Sequence, residues 1–291
     1  MRGRAIFIGA AVLLGLVAAI WVAGGILIAP HRQSAGGLPE DLGGQTVSFP
    51  SASGATLQGW LLRGLPGSAA IILLHGVHST RSSMLDRAIF LNRVGYFVLL
   101  FDFQAHGEST GDHITFGSVE SKDAQAAVEL LRTEVPGSKV GVIGVSMGGA
   151  AAVLASPPLE VDAMVLEEVY SEITQATANR LAAHAGGWAR VFAPLLTLQL
   201  KPRLGISRAD LCPLAKIGQI SAPKLLIAGA ADPYTTLEES RGLLAEAIEP
   251  KELWVIDGAG HVDLHAFAKE EYESRILRFF AANLRSRAIQ R

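Results

Sequence analysis

Apolar runs of five to seven residues recur along the chain without alternation: Ala69 to Leu74, Tyr96 to Phe101, Lys139 to Val145, Ala163 to Glu167, Lys224 to Ala228 and Glu252 to Ile256. A strand covered on both faces needs apolar side chains in both directions, so these runs predict buried parallel strands. Between them, residues 80–94, 117–134, 147–155, 235–248 and 267–284 place apolar positions three and four apart. That spacing predicts covering helices. Upstream, residues 45–49 and 55–62 alternate around the turn-rich Ser51-Ala52-Ser53-Gly54, which predicts an antiparallel hairpin. The pattern is that of an α/β protein: an open, mostly parallel sheet with an antiparallel edge and helices on both faces. Ligands of such sheets sit beyond the carboxyl ends of the strands. The interval from Glu168 to Lys224 is too long for a simple crossover, and it contains the apolar stretch Trp188 to Leu200 with an internal Pro194. A small helical cap at about 170–215 is expected there.

The N-terminus follows a different pattern. From Ala5 to Ala29 there is no charge for 25 residues, and as a helix rising ~1.5 Å per residue such a run outreaches a hydrocarbon core of roughly 30 Å. Residues 1–30 therefore read as a transmembrane anchor. A cleaved signal peptide is the competing reading, but its apolar region is shorter, and Ala29-Pro30-His31-Arg32 lacks a small-x-small cleavage pattern. Arg2 and Arg4 precede the run, while Glu40 and Asp41 follow Arg32 beyond it, an asymmetry that places the N-terminus in the cytoplasm and the rest of the chain outside. Residues 31–43, with Gly36, Gly37 and Gly43, read as a linker, and residues 44–288 as the globular domain.

Composition removes several functional classes. The chain has 25 Lys plus Arg against 27 Asp plus Glu, a formal charge of -2, so no basic field recruits nucleic acid. One cysteine, Cys212, excludes an internal disulfide and a cysteine-rich zinc site.

The chemistry concentrates where the run Lys139 to Val145 meets Gly144-Val145-Ser146-Met147-Gly148-Gly149 and the small-residue segment Ala150 to Leu154. This is Gly-x-Ser-x-Gly in a strand-turn-helix setting, a turn so tight that its neighbours must be glycine while the serine hydroxyl is raised above the sheet. A serine hydroxyl attacks only when a neutral base takes its proton and a carboxylate orients that base. His261 follows the last apolar run through Gly258-Ala259-Gly260 and is the expected base. Asp232, after the preceding run, is the expected acid, with Glu167 and Glu168 as the fallback and a helix N-cap as its alternative role. The order Ser146, Asp232, His261 suits this architecture. The amide of Met147, at a helix N-terminus, and that of Val77, in the loop Leu74-His75-Gly76-Val77-His78, are the expected donors to a developing oxyanion. His75, Asp102 and His106 read as braces of the scaffold. No metal set and no cofactor requirement emerges.

Residues 45 to 285 resemble an α/β-hydrolase on the segments His75-Gly76, Asp102 to Ser109, Gly144 to Gly149, Asp232 and Gly260-His261. Within that superfamily the chain is similar to bacterial membrane-tethered serine hydrolases grouped with esterases, lysophospholipases and prolyl-oligopeptidase-like enzymes. The resemblance implies the α/β-hydrolase fold, Ser146 as nucleophile with Asp232 and His261, and a cap that selects the substrate. The expected activity is cleavage of a carboxylic ester or thioester, the partner being a small-molecule or lipid-like acyl substrate. A serine peptidase and a catalytically idle membrane scaffold are the rival readings.

Overall fold

The computed structural model of the chain describes residues 2–40 and 42–284, and the side chains of all of these except 2–6, 8, 9, 12 and 13. Its centre is one eight-stranded sheet of order β1-β2-β4-β3-β5-β6-β7-β8. The strands are β1 (Gly44–Pro50), β2 (Thr56–Leu62), β3 (Ala70–Leu74), β4 (Phe97–Phe101), β5 (Val140–Val145), β6 (Ala163–Glu167), β7 (Lys224–Gly229) and β8 (Lys251–Ile256). Only β1/β2 and β2/β4 pair antiparallel; the other neighbours are parallel. The expected hairpin is therefore the antiparallel edge, and every non-alternating run is a parallel strand.

The helices are α1 (Arg2–Leu27), α2 (Leu85–Arg93), α3 (Glu120–Glu134), α4 (Met147–Leu154), α5 (Ile173–Ala185), α6 (Ala193–Thr197), α7 (Leu200–Leu204), α8 (Leu237–Glu246), α9 (Leu264–Phe267) and α10 (Lys269–Asn283). The strand period explains why the central runs are apolar in both directions. On β3, Ile71 and Leu73 pack with Phe90 of α2 and Phe280 of α10, while Ile72 and Leu74 pack with Leu131 of α3 and Ala151 of α4. All of the β3 side chains are buried. The run Glu252 to Ile256, read as non-alternating, is the exception: as edge strand β8 it is covered unevenly and alternates in burial, sending Trp254 and Ile256 inward.

The order in which strands are added reverses at β3: β4 lies on one side of it and β5 on the other, both parallel to it. Loops leaving β3 and β5 thus diverge to opposite faces and open a crevice between their carboxyl ends, the place where sheets of this kind bind ligands. Above it sits the cap, made of α5, α6, α7 and short 3₁₀ turns between β6 and β7.

The first forty residues depart from expectation. Among the described residues no helix is long and apolar enough to cross a membrane, and part of the expected span, with the orienting Arg2, Arg4 and Asp41, lies outside the described residues or side chains. What is described is docked on the domain. Gln199 Nε2 of the cap donates to Ile20 O at 2.9 Å, and Arg203 donates to Trp21 O while its guanidinium lies 3.9 Å over the Trp21 ring. Ile28 is buried. The stretch read as a linker is also fastened: His31 exchanges backbone hydrogen bonds with Ala105 and Gly107 at 2.8 Å, Arg32 donates to the carbonyls of Ser109 and Gly111, and Ser34 Oγ donates to Glu108 at 2.9 Å. The reason is local. The loop after β4 offers unpaired backbone groups beside a carboxylate, and the incoming segment satisfies them.

Candidate active site

Ser146 sits between β5 and α4 with φ 50° and ψ −114°, one of few non-glycine residues in the left-handed half of conformational space. The flanking glycines show why the sequence can fold this way. A Cβ on Gly144 would lie 2.6 Å from Gly149 Cα, and one on Gly148 would lie 2.6 Å from His75 O. Gly76 comes close enough that an added Cβ would meet Ser146 Cβ at 3.7 Å, so the loops after β3 and β5 face each other across the switch point. The amides of Val77 and Met147 have no acceptor among the described residues, and both residues line the same cavity as Ser146.

His261 and Asp232 meet. His261 Nδ1 donates to Asp232 Oδ2 at 2.7 Å. The carboxylate is otherwise saturated: Thr235 Oγ1 donates to Oδ2 at 2.5 Å, and the Tyr234 and Thr235 amides donate to Oδ1 at 2.7 and 3.0 Å. Burial alone would push Asp232 upward, but these bonds from His261 and Thr235 outweigh it and hold the group below the usual carboxylate range. Asp232 is not a helix N-cap; Thr236 takes that role for α8 in a capping box with Glu239. The Tyr234 ring packs edge-on against His261 with centroids 5.3 Å apart and also lines the cavity holding Ser146.

The fallback carboxylates divide. Glu167 faces the opposite side of the sheet, paired to Arg87 at 2.8 Å and bonded to Tyr272, all three buried. Asp263 caps α9 and also pairs with Arg87 at 2.8 Å. Glu168 lies beside His261 instead: its Oε2 is 3.6 Å from His261 Nδ1, its backbone has φ 50°, and its Oε1 is buried without a partner. Burial, together with the charges of Asp232 and Glu167, pushes Glu168 up to about 9, so it is a neutral acid at pH 7. Glu168, Asp232 and His261 offer atoms within 4.8 Å of one another, a spacing open to a metal ion. Within that set Asp232 and His261 are already hydrogen-bonded to each other.

The expected braces are braces. His75 donates from Nδ1 to Gly76 O at 2.7 Å and accepts the Phe103 amide on Nε2 at 3.1 Å; burial holds it neutral, down to about 3. His106 is held likewise, down to about 4, with its Nε2 accepting the His78 amide at 3.3 Å. Asp102 is buried and paired with Arg81. These contacts fix the loop that presents Val77.

The cavity beside Ser146 has a volume of about 350 Å³ and mostly apolar walls. Two contributions to it had no signal in the sequence. Gly24, Leu27 and Ile28 at the end of α1 form one wall, and Arg180 of α5 lines another, its guanidinium over the ring of Tyr234, which lines the cavity too. Neither follows from local pattern, because each depends on how a distant segment docks.

The sequence of residues 66–212 matches the family described as Serine aminopeptidase, S33, or Hydrolase_4. The chain belongs to this family of α/β-hydrolases. Over 273 residues it is 30% identical to an uncharacterized protein of Mycobacterium tuberculosis, MT2364, covering 90% of each chain. It is 25% identical over 218 residues to the alpha/beta hydrolase domain-containing protein WAV2 of Arabidopsis thaliana, covering 70% of this chain and 66% of WAV2. Among solved structures, the Pyrococcus furiosus esterase Pf2001 superimposes with a TM-score of 0.71 at 29% identity, covering 88% of this Hydrolase_4 chain and all of the esterase.

Proposed function

We propose that this Hydrolase_4 member is a serine hydrolase that cleaves carboxylic ester or thioester bonds through an acyl-enzyme on Ser146. The observation that carries the reading is the strained serine turn beside two acceptor-free amides in an apolar cavity, one of whose walls is Tyr234 and Thr235, the residues that pack on and hydrogen-bond the histidine–aspartate pair. Ser146 Oγ adds to the acyl carbon as its proton passes to His261 Nε2, which is free because Nδ1 is committed to Asp232. The carbonyl oxygen, now negative, receives the amides of Val77 and Met147. His261 returns the proton to the departing alcohol or thiol. Water then attacks the acyl-serine by the same route, releasing a carboxylic acid and regenerating the hydroxyl. A fluorophosphonate probe should label the purified protein and fail on Ser146→Ala, whose ester turnover should drop by roughly a millionfold. Full turnover in a clean Ser146→Ala preparation would defeat the reading.

The family's aminopeptidase description raises a second reading, cleavage of short peptides. A free α-amine needs a carboxylate in the pocket, whereas the residues lining this cavity include arginine and histidine and no Asp or Glu. Esters are accordingly favoured, and aminoacyl p-nitroanilides turned over faster than matched esters would reverse the order.

We also propose that α1 associates with a bilayer, with the N-terminus cytoplasmic and the domain outside. Support comes from the uncharged run Ala5 to Ala29 and from exposed apolar side chains near it: Trp21, Val22 and Ile26 on α1, with Trp188 and Val191 on the cap. Retention in membranes after alkaline carbonate extraction tests this; release into the supernatant would refute it.

A further inference from the structure

The cavity wall contains two guanidinium groups, and they are used differently. Arg203 spends its donors on Gln199 Oε1, at 3.1 Å, and on Trp21 O, while stacking on Trp21. Arg180 has no carboxylate and no hydrogen-bond acceptor among the described residues; its guanidinium carbon lies 4.6 Å over the Tyr234 ring, and nothing else holds it. The group is half-buried, and burial pushes its charged form down despite the fields of Tyr234 and Asp232. Asp232 does not serve as its partner, since four donors already occupy that carboxylate. The ring beneath Arg180 is the one that packs against His261 and lines the Ser146 cavity, so the charge stands close to the reacting ester.

A half-buried guanidinium with idle donors in an apolar pocket costs stability unless something pairs with it part of the time. Arginine's planar fork is suited to a carboxylate or phosphate, which it binds through two parallel hydrogen bonds. Resting on the serine-hydrolase reading above, we infer that Arg180 is an anion-binding, specificity-determining residue, and that the substrate is an amphiphilic acyl ester with a carboxylate or phosphate a few atoms from the scissile bond. The acyl chain lies along the apolar wall formed by α1, Ile173 and Leu200, and the anion turns toward Arg180. The anion is not consumed. Water adds across the ester, giving a fatty acid and a hydroxylated anionic fragment.

The test compares three esters of one acyl chain on the full-length protein in detergent: a 1-acylglycerol as the neutral reference, a 1-acylglycerol 3-phosphate, and an O-acylglycerate carrying a carboxylate in place of the phosphate. In the wild-type protein, kcat/KM for at least one anionic ester should exceed the neutral one by about 10- to 100-fold, the range expected for a charge-assisted pair. Which anion wins identifies the headgroup chemistry. In Arg180→Met the anionic-to-neutral ratio should collapse towards one, and Arg180→Lys should recover part of it, most for phosphate. A merely structural role would lower all three esters together and leave the ratio unchanged. Wild-type protein that cleaves the neutral ester with no anionic preference overturns this inference alone, whatever the variants do. Protein that cleaves none of the three and fails to label at Ser146 overturns the hydrolase reading itself.

Discussion

Two carboxyl groups approach the Nδ1 atom of His261, and substituting each by its amide separates their roles. Asp232 is within hydrogen-bond distance at 2.7 Å, while Glu168 is at 3.6 Å, too far for a bond. In Asp232→Asn one oxygen becomes a donor. Turned towards Tyr234 and Thr235, the new amide nitrogen would confront two backbone N–H groups, each bond lost costing roughly 1–3 kcal/mol. Turned towards His261, it meets a ring that can shift its proton from Nδ1 to Nε2 and a Thr235 hydroxyl that can rotate. The second arrangement is cheaper and leaves the wrong tautomer, because Nε2 now carries the proton it must be free to accept. A fall in kcat of about 10⁴ is expected from such a change, a barrier increase of roughly 5.5 kcal/mol, with the melting temperature little altered. Glu168→Gln replaces an already neutral acid by its isostere, so kcat should stay within about fivefold on the same logic of unchanged charge. Steady-state hydrolysis of p-nitrophenyl butyrate by both variants, with thermal unfolding as the control, reads both effects. A reversal, in which Asp232→Asn keeps more than a tenth of the activity while Glu168→Gln loses a hundredfold, would assign the orienting role to Glu168 and refute this account.

Other consequences follow from single groups. Glu168 keeps its proton up to about 9 in the folded chain but loses it near 4.5 when unfolded. The folded state therefore binds more protons between those values, and this contribution, full below 4.5, is lost as pH rises towards 9. Urea midpoints measured from pH 5 to 9 should fall less steeply in Glu168→Gln than in the wild-type protein; parallel curves would count against a protonated Glu168. Arg87→Met leaves Glu167 buried with only the Tyr272 hydroxyl, a loss of about 3–5 kcal/mol, or roughly 6–20 °C in melting temperature for a domain of this size. A calorimetric shift of under 2 °C would show that the pair is not sustaining the fold. Gln199→Ala removes the bond to Ile20 that holds α1 at the cavity; chain-length discrimination between butyrate and dodecanoate esters should weaken by about 3- to 10-fold, the worth of roughly one hydrogen bond. An unchanged series would mean that α1 does not shape the acyl pocket.

What could be read in advance, and what could not, divides along the range of the forces involved. The elbow was legible because its demand is local: a left-handed serine between strand and helix needs hydrogen-sized neighbours, and Gly144 and Gly148 announce that need within five residues. The parallel strands were legible for a similar reason, since a run such as Ile71, Ile72, Leu73 is satisfied only where both faces are covered. His261 and Asp232 could be named because strand ends on one side of a parallel sheet must converge, so the loops after β7 and β8 had to carry them to the same rim. Arg180 and Ile28 obey no such rule. Each reaches the cavity through the docking of a separate element, α5 of the cap or the end of α1, and docking is set by surfaces far apart in the chain. The fastening of the segment read as a linker was hidden for that reason: glycine content permits motion, yet the acceptor carbonyls of Ala105, Ser109 and Gly111 hold His31 and Arg32 in place. The Ser146 turn and the strand ends that bring Asp232 to His261 are thus specified by short-range geometry, whereas the cavity walls are specified by long-range packing. Substitutions in the cap or in α1 should accordingly change which ester is cleaved while the Asp232–His261 bond and the Ser146 turn persist.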